Sequence, residues 1–277
     1  MRNAIIIDSS AGVKNVKDYK DLYLAPLMIT KENGEQIADD ENLTQDEFYN
    51  LYEKEMLKTS QTIPGEMMKL WDKLLESYDK VICLLLSKGL SGQYSTCKML
   101  SEEEKYKGKI LVVDTNGVSI VLKKQLLQTI DLLKEGEKIE NICNILEKDN
   151  KNFNVFIIPK KLDQLVRGGR ISKAAAGLAK ILKITPILKY DGTIDKEAKT
   201  RTFKKAIEDA VLLLKKKQPN SKIIDISFSK SSEELINTVK EIVNKHGFQI
   251  NLFEEIPNTI TCHTGLETFA LGVWRNR

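Results

Sequence analysis

Apolar residues along this chain fall into two alternating kinds of run. Short strand-like stretches, several of them apolar at consecutive positions, occur at residues 4–7, 24–29, 81–86, 110–113, 155–158, 186–190, 223–228, 249–253 and 268–274. Consecutive apolar positions predict strands covered on both faces. Between them lie stretches with one apolar stripe, which predict helices over 45–57, 66–77, 93–100, 119–133, 139–148, 201–216 and 233–246. In 201–216 the stripe is Phe203, Ala206, Ile207, Ala210, Val211 and Leu214, at helical spacing. The helix over 233–246 opens on a Ser231-x-x-Glu234 capping box and closes at Gly247. Strands alternating with helices predict an α/β protein with largely parallel or mixed sheets. The polar stretch 147–154, EKDNKNFN, divides the chain near its middle. Two α/β domains are expected, 1–152 and 153–277, with an interdomain cleft as the default ligand site.

Composition narrows the classes. Of 277 residues, 42% are hydrophobic and 30% charged, as in an ordinary globular protein. The net charge of +4 comes from Lys spread along the chain and leaves no nucleic-acid footprint. No apolar run reaches the 18 or so residues of a membrane span, so stable membrane insertion is not expected. The first apolar run stops at Asp8, which predicts a buried strand and not a signal peptide. Cys83, Cys97, Cys143 and Cys262 form no CxxC pair; free thiols in a reducing, cytoplasmic setting are expected, and no metal or cofactor. Only six cations are Arg: Arg2, Arg167, Arg170, Arg201, Arg275 and Arg277. Arg binds anions bidentately and Lys does not, so these six carry more chemical information.

Small polar residues cluster in four loops. In 58–64, KTSQTIP, Thr62 is expected to cap the next helix, with Pro64 in its first turn. Thr59 and Ser60 have no such assignment. In 87–93, SKGLSGQ, a Gly-rich turn links a strand to a helix, which aims backbone N–H groups and a helix dipole at one point: an anion site, or simply a turn. It lacks the P-loop pattern, and Gln93 stands where a G-x-S-x-G nucleophile elbow needs its last Gly. In 167–172, RGGRIS, Arg167 and Arg170 precede a helix that Ser172 can cap. A helix N-terminus disfavours cations, so the pair suggests an anion or an acidic partner, or else a solvated loop. In 261–265, TCHTG, His263 is expected in a loop between strands, whereas His246 ends a helix, where a His suits the dipole.

Taken in order, these motifs resemble the DegV family of bacterial fatty-acid-binding proteins. The resemblance runs along essentially the whole chain: Ile5-Ile6-Ile7-Asp8-Ser9-Ser10, Thr59-Ser60-Gln61, Gly89-Leu90-Ser91-Gly92, Val113-Asp114-Thr115, Leu162-Asp163-Gln164-Leu165, Gly168-Gly169-Arg170-Ile171-Ser172, Pro186-Ile187-Leu188, Asp191-Gly192, Arg201 and His263-x-Gly265. It implies a non-enzymatic carrier with one long-chain fatty acid, of the palmitate, stearate or oleate class, buried between two domains. It implies that Thr59 and Ser91 bond the carboxylate, with a possible backbone contribution from Gly92. It further implies that Arg170 and His263 border the head group and work with a partner, an ATP-dependent fatty-acid kinase that makes the acyl phosphate for phospholipid synthesis. The chain departs from the family pattern at Thr62, where Pro is usual, at Lys88, at Gln93, where Thr is common, and at Leu266-Glu267, where Pro-Gly is usual. Two other readings stay open: a serine-dependent acyl hydrolase using Ser91 and His263, and a binding module for another small anion.

A C16 acid is energetically sensible for such a site. About 14 buried methylenes at roughly 0.8 kcal/mol each contribute about 11 kcal/mol before ordering costs. The head group then needs only hydrogen-bond satisfaction.

Overall fold

A computed structural model describes residues 2–275; Arg277 lies outside them. The chain divides into two compact units, one of Met1–Asn150 with Pro257–Cys262, the other of Lys151–Ile256 with His263–Arg277. A single linear boundary has no place for the Pro257–Cys262 return.

In the first unit the strands are β1 (Asn3–Asp8), β2 (Leu22–Ala25), β3 (Met28–Thr30), β4 (Gln36–Ala38), β5 (Lys58–Ser60), β6 (Lys80–Leu86) and β7 (Ile110–Gly117). Its helices are α1 (Gln45–Lys54), α2 (Pro64–Leu75), α3 (Gln93–Ser101), α4 (Ile120–Lys134) and α5 (Ile139–Lys148). The main sheet has the order β2-β1-β6-β7, and every pair in it is parallel. Strand alternation explains its two cores. Ala4, Ile6, Val81 and Cys83 point at Met67, Trp71 and Leu74 of α2, and Ile5, Ile7, Ile82 and Leu84 point at Leu122, Leu126, Ile142 and Leu146 of α4 and α5. A small antiparallel sheet, β4-β3-β5, lies alongside in sequence. The apolar run 24–29 is two strands and not one, because Pro26 cannot donate to a ladder.

The second unit holds β8 (Phe153–Pro159), α6 (Asp163–Gly168), α7 (Lys173–Ala176), β9 (Thr185–Tyr190), β10 (Ile194–Thr200), α8 (Phe203–Lys217), β11 (Ile223–Phe228), α9 (Glu233–Lys245), β12 (Gln249–Glu255) and β13 (Thr268–Trp274). Its sheet runs β10-β9-β8-β13-β11-β12, with only β11 and β12 parallel, so this half is mixed. One face packs Phe156, Ile158, Ile187, Ile226 and Phe269 against the predicted stripe of α8 and against Val239 and Val243 of α9. The cap of α9 is Ser232, which accepts from the Leu235 N–H at 3.3 Å; Ser231 instead donates to the Ser229 carbonyl. The helix α10 (Asn258–Thr264) straddles the division of the chain into units.

Candidate functional site

The parallel sheet of the first unit supplies a place for chemistry. Its strand order reverses between β1 and β6, so the chain leaves their C-terminal ends in opposite directions and opens a crevice there. Asp8, Ser9 and Ser10 stand at the end of β1, and the loop 87–92 at the end of β6. Asp8 is fully buried and binds both ends together: it accepts from the Leu86 N–H at 2.7 Å, from the Ser10 N–H at 3.0 Å and from the Ser10 hydroxyl at 2.5 Å. Burial raises its pKa from 3.8 to about 6 against those hydrogen bonds, with the nearby Asp39 adding to the rise. Asp39, also buried, meets Lys14 at 2.9 Å and accepts from Asn258 Nδ2 and the Thr259 N–H, both at 3.1 Å. These bonds anchor the Pro257–Cys262 return.

Thr59 lies on β5, opposite Ile29, and not in a loop. Ser91 closes the turn after β6; its N–H and that of Leu90 both reach the Ser87 carbonyl. Ser91 Oγ accepts from the Gln93 N–H at 3.2 Å, which leaves the hydroxyl hydrogen to donate. Gly92 stands at the start of α3, whose first turn carries no acidic residue. The two hydroxyl segments are tied together. Thr96 donates to Gln61 Oε1 at 3.1 Å, and Thr62 and Gln93 exchange two bonds, from the Thr62 N–H to Gln93 Oε1 at 3.0 Å and from Gln93 Nε2 to Thr62 Oγ1 at 2.8 Å. Thr62 is therefore not the cap of α2. The residue at that position is Ile63, and the Thr62 hydroxyl goes to the Ala25 carbonyl at 3.0 Å. Lys88 pairs with Asp114 at 2.5 Å, so its charge is compensated locally.

In the second unit the 167–172 segment joins two helices. Arg167 occupies the last turn of α6, where the dipole favours a cation, and not the N-terminus of the next helix. Ser172 caps α7, accepting from the Ala175 N–H at 3.0 Å, and donates to Asp195 of β10. That helix, α7, stops after one turn at Ala176, and Leu182 beyond it is 88% exposed. His263 sits in α10 and not in a loop. Burial, and then the charge of Arg170, lower its pKa from 6.5 to about 4, so its ring is neutral near pH 7. A Cβ built on Gly168 would lie 2.5 Å from His263 Nδ1, so only glycine admits the ring at this spot. The Gly168 carbonyl accepts from the Arg170 guanidinium. One glycine thus touches both residues that the sequence singled out in this unit.

Among the described residues no group of His, Cys, Asp and Glu is arranged to hold a metal, and no helix is long and apolar enough to cross a membrane. The cysteines are free, and Cys83, Cys97 and Cys262 are buried. Sequence reasoning passed over Asp39, which hides in the polar run 39–42. It placed Gln93 and Thr62 without pairing them, because the pairing exists only once β5 and α3 are brought side by side.

A family model described as "Uncharacterised protein, DegV family" matches residues 2–276. The chain belongs to the DegV family. A DegV domain-containing protein of Mycoplasma genitalium is 30% identical over 291 residues, covering 98% of each chain. One from Mycoplasmopsis pulmonis is 28% identical over 290 residues, covering 99% of this chain and 95% of that protein. Among solved structures, a DegV family protein from Thermus thermophilus, described as binding fatty acid, superposes with a TM-score of 0.87 at 25% identity over the full length of both chains. A fatty-acid-binding DegV family protein from Streptococcus agalactiae does so with a TM-score of 0.86 at 26% identity, again over the full length of both.

Proposed function

We propose that this DegV family protein is a carrier that binds one long-chain fatty acid, with its carboxylate held by Thr59 and Ser91 and by backbone at Gly92, and presents it to an ATP-dependent kinase that forms the acyl phosphate. The observation that carries the reading is the Ser91 hydroxyl. Its oxygen is already engaged by the Gln93 N–H, its hydrogen is available to donate, and it stands at the strand-order reversal of a parallel sheet. The fatty-acid-binding DegV proteins of Thermus thermophilus and Streptococcus agalactiae share the fold over full length. Neutral donors satisfy a carboxylate without a tight ion pair and leave its oxygen reactive. Arg170 then supplies the positive charge when phosphate arrives, and His263, being neutral, acts through hydrogen bonds. The domains act as 1–152, with the Pro257–Cys262 return, and the remainder of 153–277, and the protein works in the cytoplasm. A hydrolase would use Ser91 as nucleophile, and Gln93 stands where a G-x-S-x-G elbow needs its last Gly.

Organic extraction of the purified protein followed by mass spectrometry tests the reading. Long-chain acid at about one equivalent supports it; a protein that neither retains nor rebinds any long-chain acid sinks it. Ser91→Ala is expected to weaken acid binding, whereas Arg170→Ala is expected to leave binding intact and reduce phosphorylation by the kinase. Equal losses of binding would refute that division of labour.

A further inference from the structure

Three hydrogen bonds of Gln93 each reach a segment of the head-group site. Its backbone N–H holds Ser91 Oγ at 3.2 Å. Its side-chain oxygen accepts the Thr62 N–H at 3.0 Å, and its side-chain nitrogen donates to Thr62 Oγ1 at 2.8 Å. The amide orientation is fixed by this pairing, since a flipped amide would set an NH2 group against the Thr62 N–H. Thr62 Oγ1 passes its own hydrogen to the carbonyl of Ala25 at the end of β2. Gln93 is 1% exposed and Thr62 4%, so water does not compete for these bonds. A continuous chain of bonds therefore runs from the main sheet, through Thr62, across the Gln93 amide and back along its own backbone to Ser91. Thr59, three residues before Thr62, lies on β5, which ends at Ser60 and pairs Thr59 with Ile29 of β3.

The arrangement depends on the residue types at both positions. A proline at 62 has no N–H and no hydroxyl, and a threonine at 93 is too short to span to both partners. With Thr at 62 and Gln at 93, the polar groups of each satisfy those of the other. Neither residue is a ligand of the carboxylate in the proposed function; both act through Ser91 and Thr59.

We propose that Gln93 is the positioning residue of the head-group site, its side chain clamping the Thr59-bearing segment through Thr62 while its backbone turns the Ser91 hydroxyl outward as a donor. The inference rests on the fatty-acid reading of that site. It makes recognition of the carboxylate, and not of the acyl chain, depend on a residue that the acid does not contact.

The test compares palmitate with hexadecanol, which has the same tail and no carboxylate, on the full-length protein. Gln93→Met keeps the length and removes both side-chain bonds. It is expected to weaken palmitate binding about tenfold, the size of one to two buried hydrogen bonds, and to leave hexadecanol within about twofold of wild type. Thr62→Val, a milder change, is expected to shift the palmitate-to-hexadecanol ratio in the same direction by less. The double variant should lose less than the product of the two single losses, because both remove the same bonds. A variant that is merely destabilised loses both ligands in proportion and leaves the ratio unmoved. Wild-type ratios in both variants overturn the clamp while wild-type palmitate binding stands. Absence of palmitate binding by the wild-type protein overturns the fatty-acid reading itself, and the clamp with it.

Discussion

Asp8 in the first unit and His263 in the second are both buried titratable groups, and burial moves them in opposite directions. The carboxyl rises to about 6 and the imidazole falls to about 4, because desolvation disfavours whichever form is charged. What differs is how each unit accommodates its group. The first unit surrounds Asp8 with donors and is built as a hydrogen-bonded framework, running on through Thr62, Gln93 and Ser91. The second makes room for His263 by omitting a side chain at Gly168, and sets Arg170 on the same residue's carbonyl. A framework of bonds tolerates small shifts through its redundancy. A steric fit does not, since one methyl group fills the space.

The largest expected effect concerns Asp8. Its folded pKa of about 6 lies above its ordinary value of 3.8, so the folded protein holds a proton that the unfolded chain has released. The associated stability is fully present below about pH 4 and is lost as pH rises through 6, about 3 kcal/mol in all. Asp8→Asn is expected to flatten the stability curve over that window in denaturant titrations at stepped pH. Curves that stay parallel to the wild type would mean that Asp8 is not the group responsible.

His263 carries the opposite sign. Its contribution is present above about pH 6.5 and is lost as pH falls through 4. Gly168→Ala is expected to displace the ring and move its pKa back toward 6.5, read by NMR titration of the His263 ring, at a cost of about 1–3 kcal/mol for overpacking. A His263 pKa that stays near 4 in this variant would break the contrast between framework and steric fit. His246 closes α9, and its carbonyl accepts from Lys215 Nζ at 2.7 Å.

The smallest effect is expected at Lys88. Its pair with Asp114 is more than half exposed on the lysine side, and such pairs contribute less than about 1 kcal/mol. Lys88→Ala is expected to change thermal stability by that amount or less, the difference shrinking further in high salt. A larger, salt-independent loss would place Lys88 inside the framework and not at its edge.

How much could be read in advance varied with the source of each feature. The strands Ile223–Phe228 and Thr268–Trp274 and the helix Ile139–Lys148 were legible to the residue, because their apolar periodicity is a local property. The cap at Ser172 was legible for the same reason: a short-range bond to the Ala175 N–H. Strands β5 and β10 were not, since they are polar and exist through their pairing with β3 and β9. His263 was read as a loop residue, because a seven-residue helix flanked by Thr offers almost no stripe.

By itself the sequence determined the α/β class, most element positions, and a short list of polar residues bearing the family's motifs, because all of these follow from spacing along one chain. The tertiary structure decided which of those residues act together. It paired Thr62 with Gln93, set Gly168 under both His263 and Arg170, and made the first sheet wholly parallel and the second mixed. It also decided their charge states, because a pKa depends on what surrounds a group and not on what precedes it in the chain.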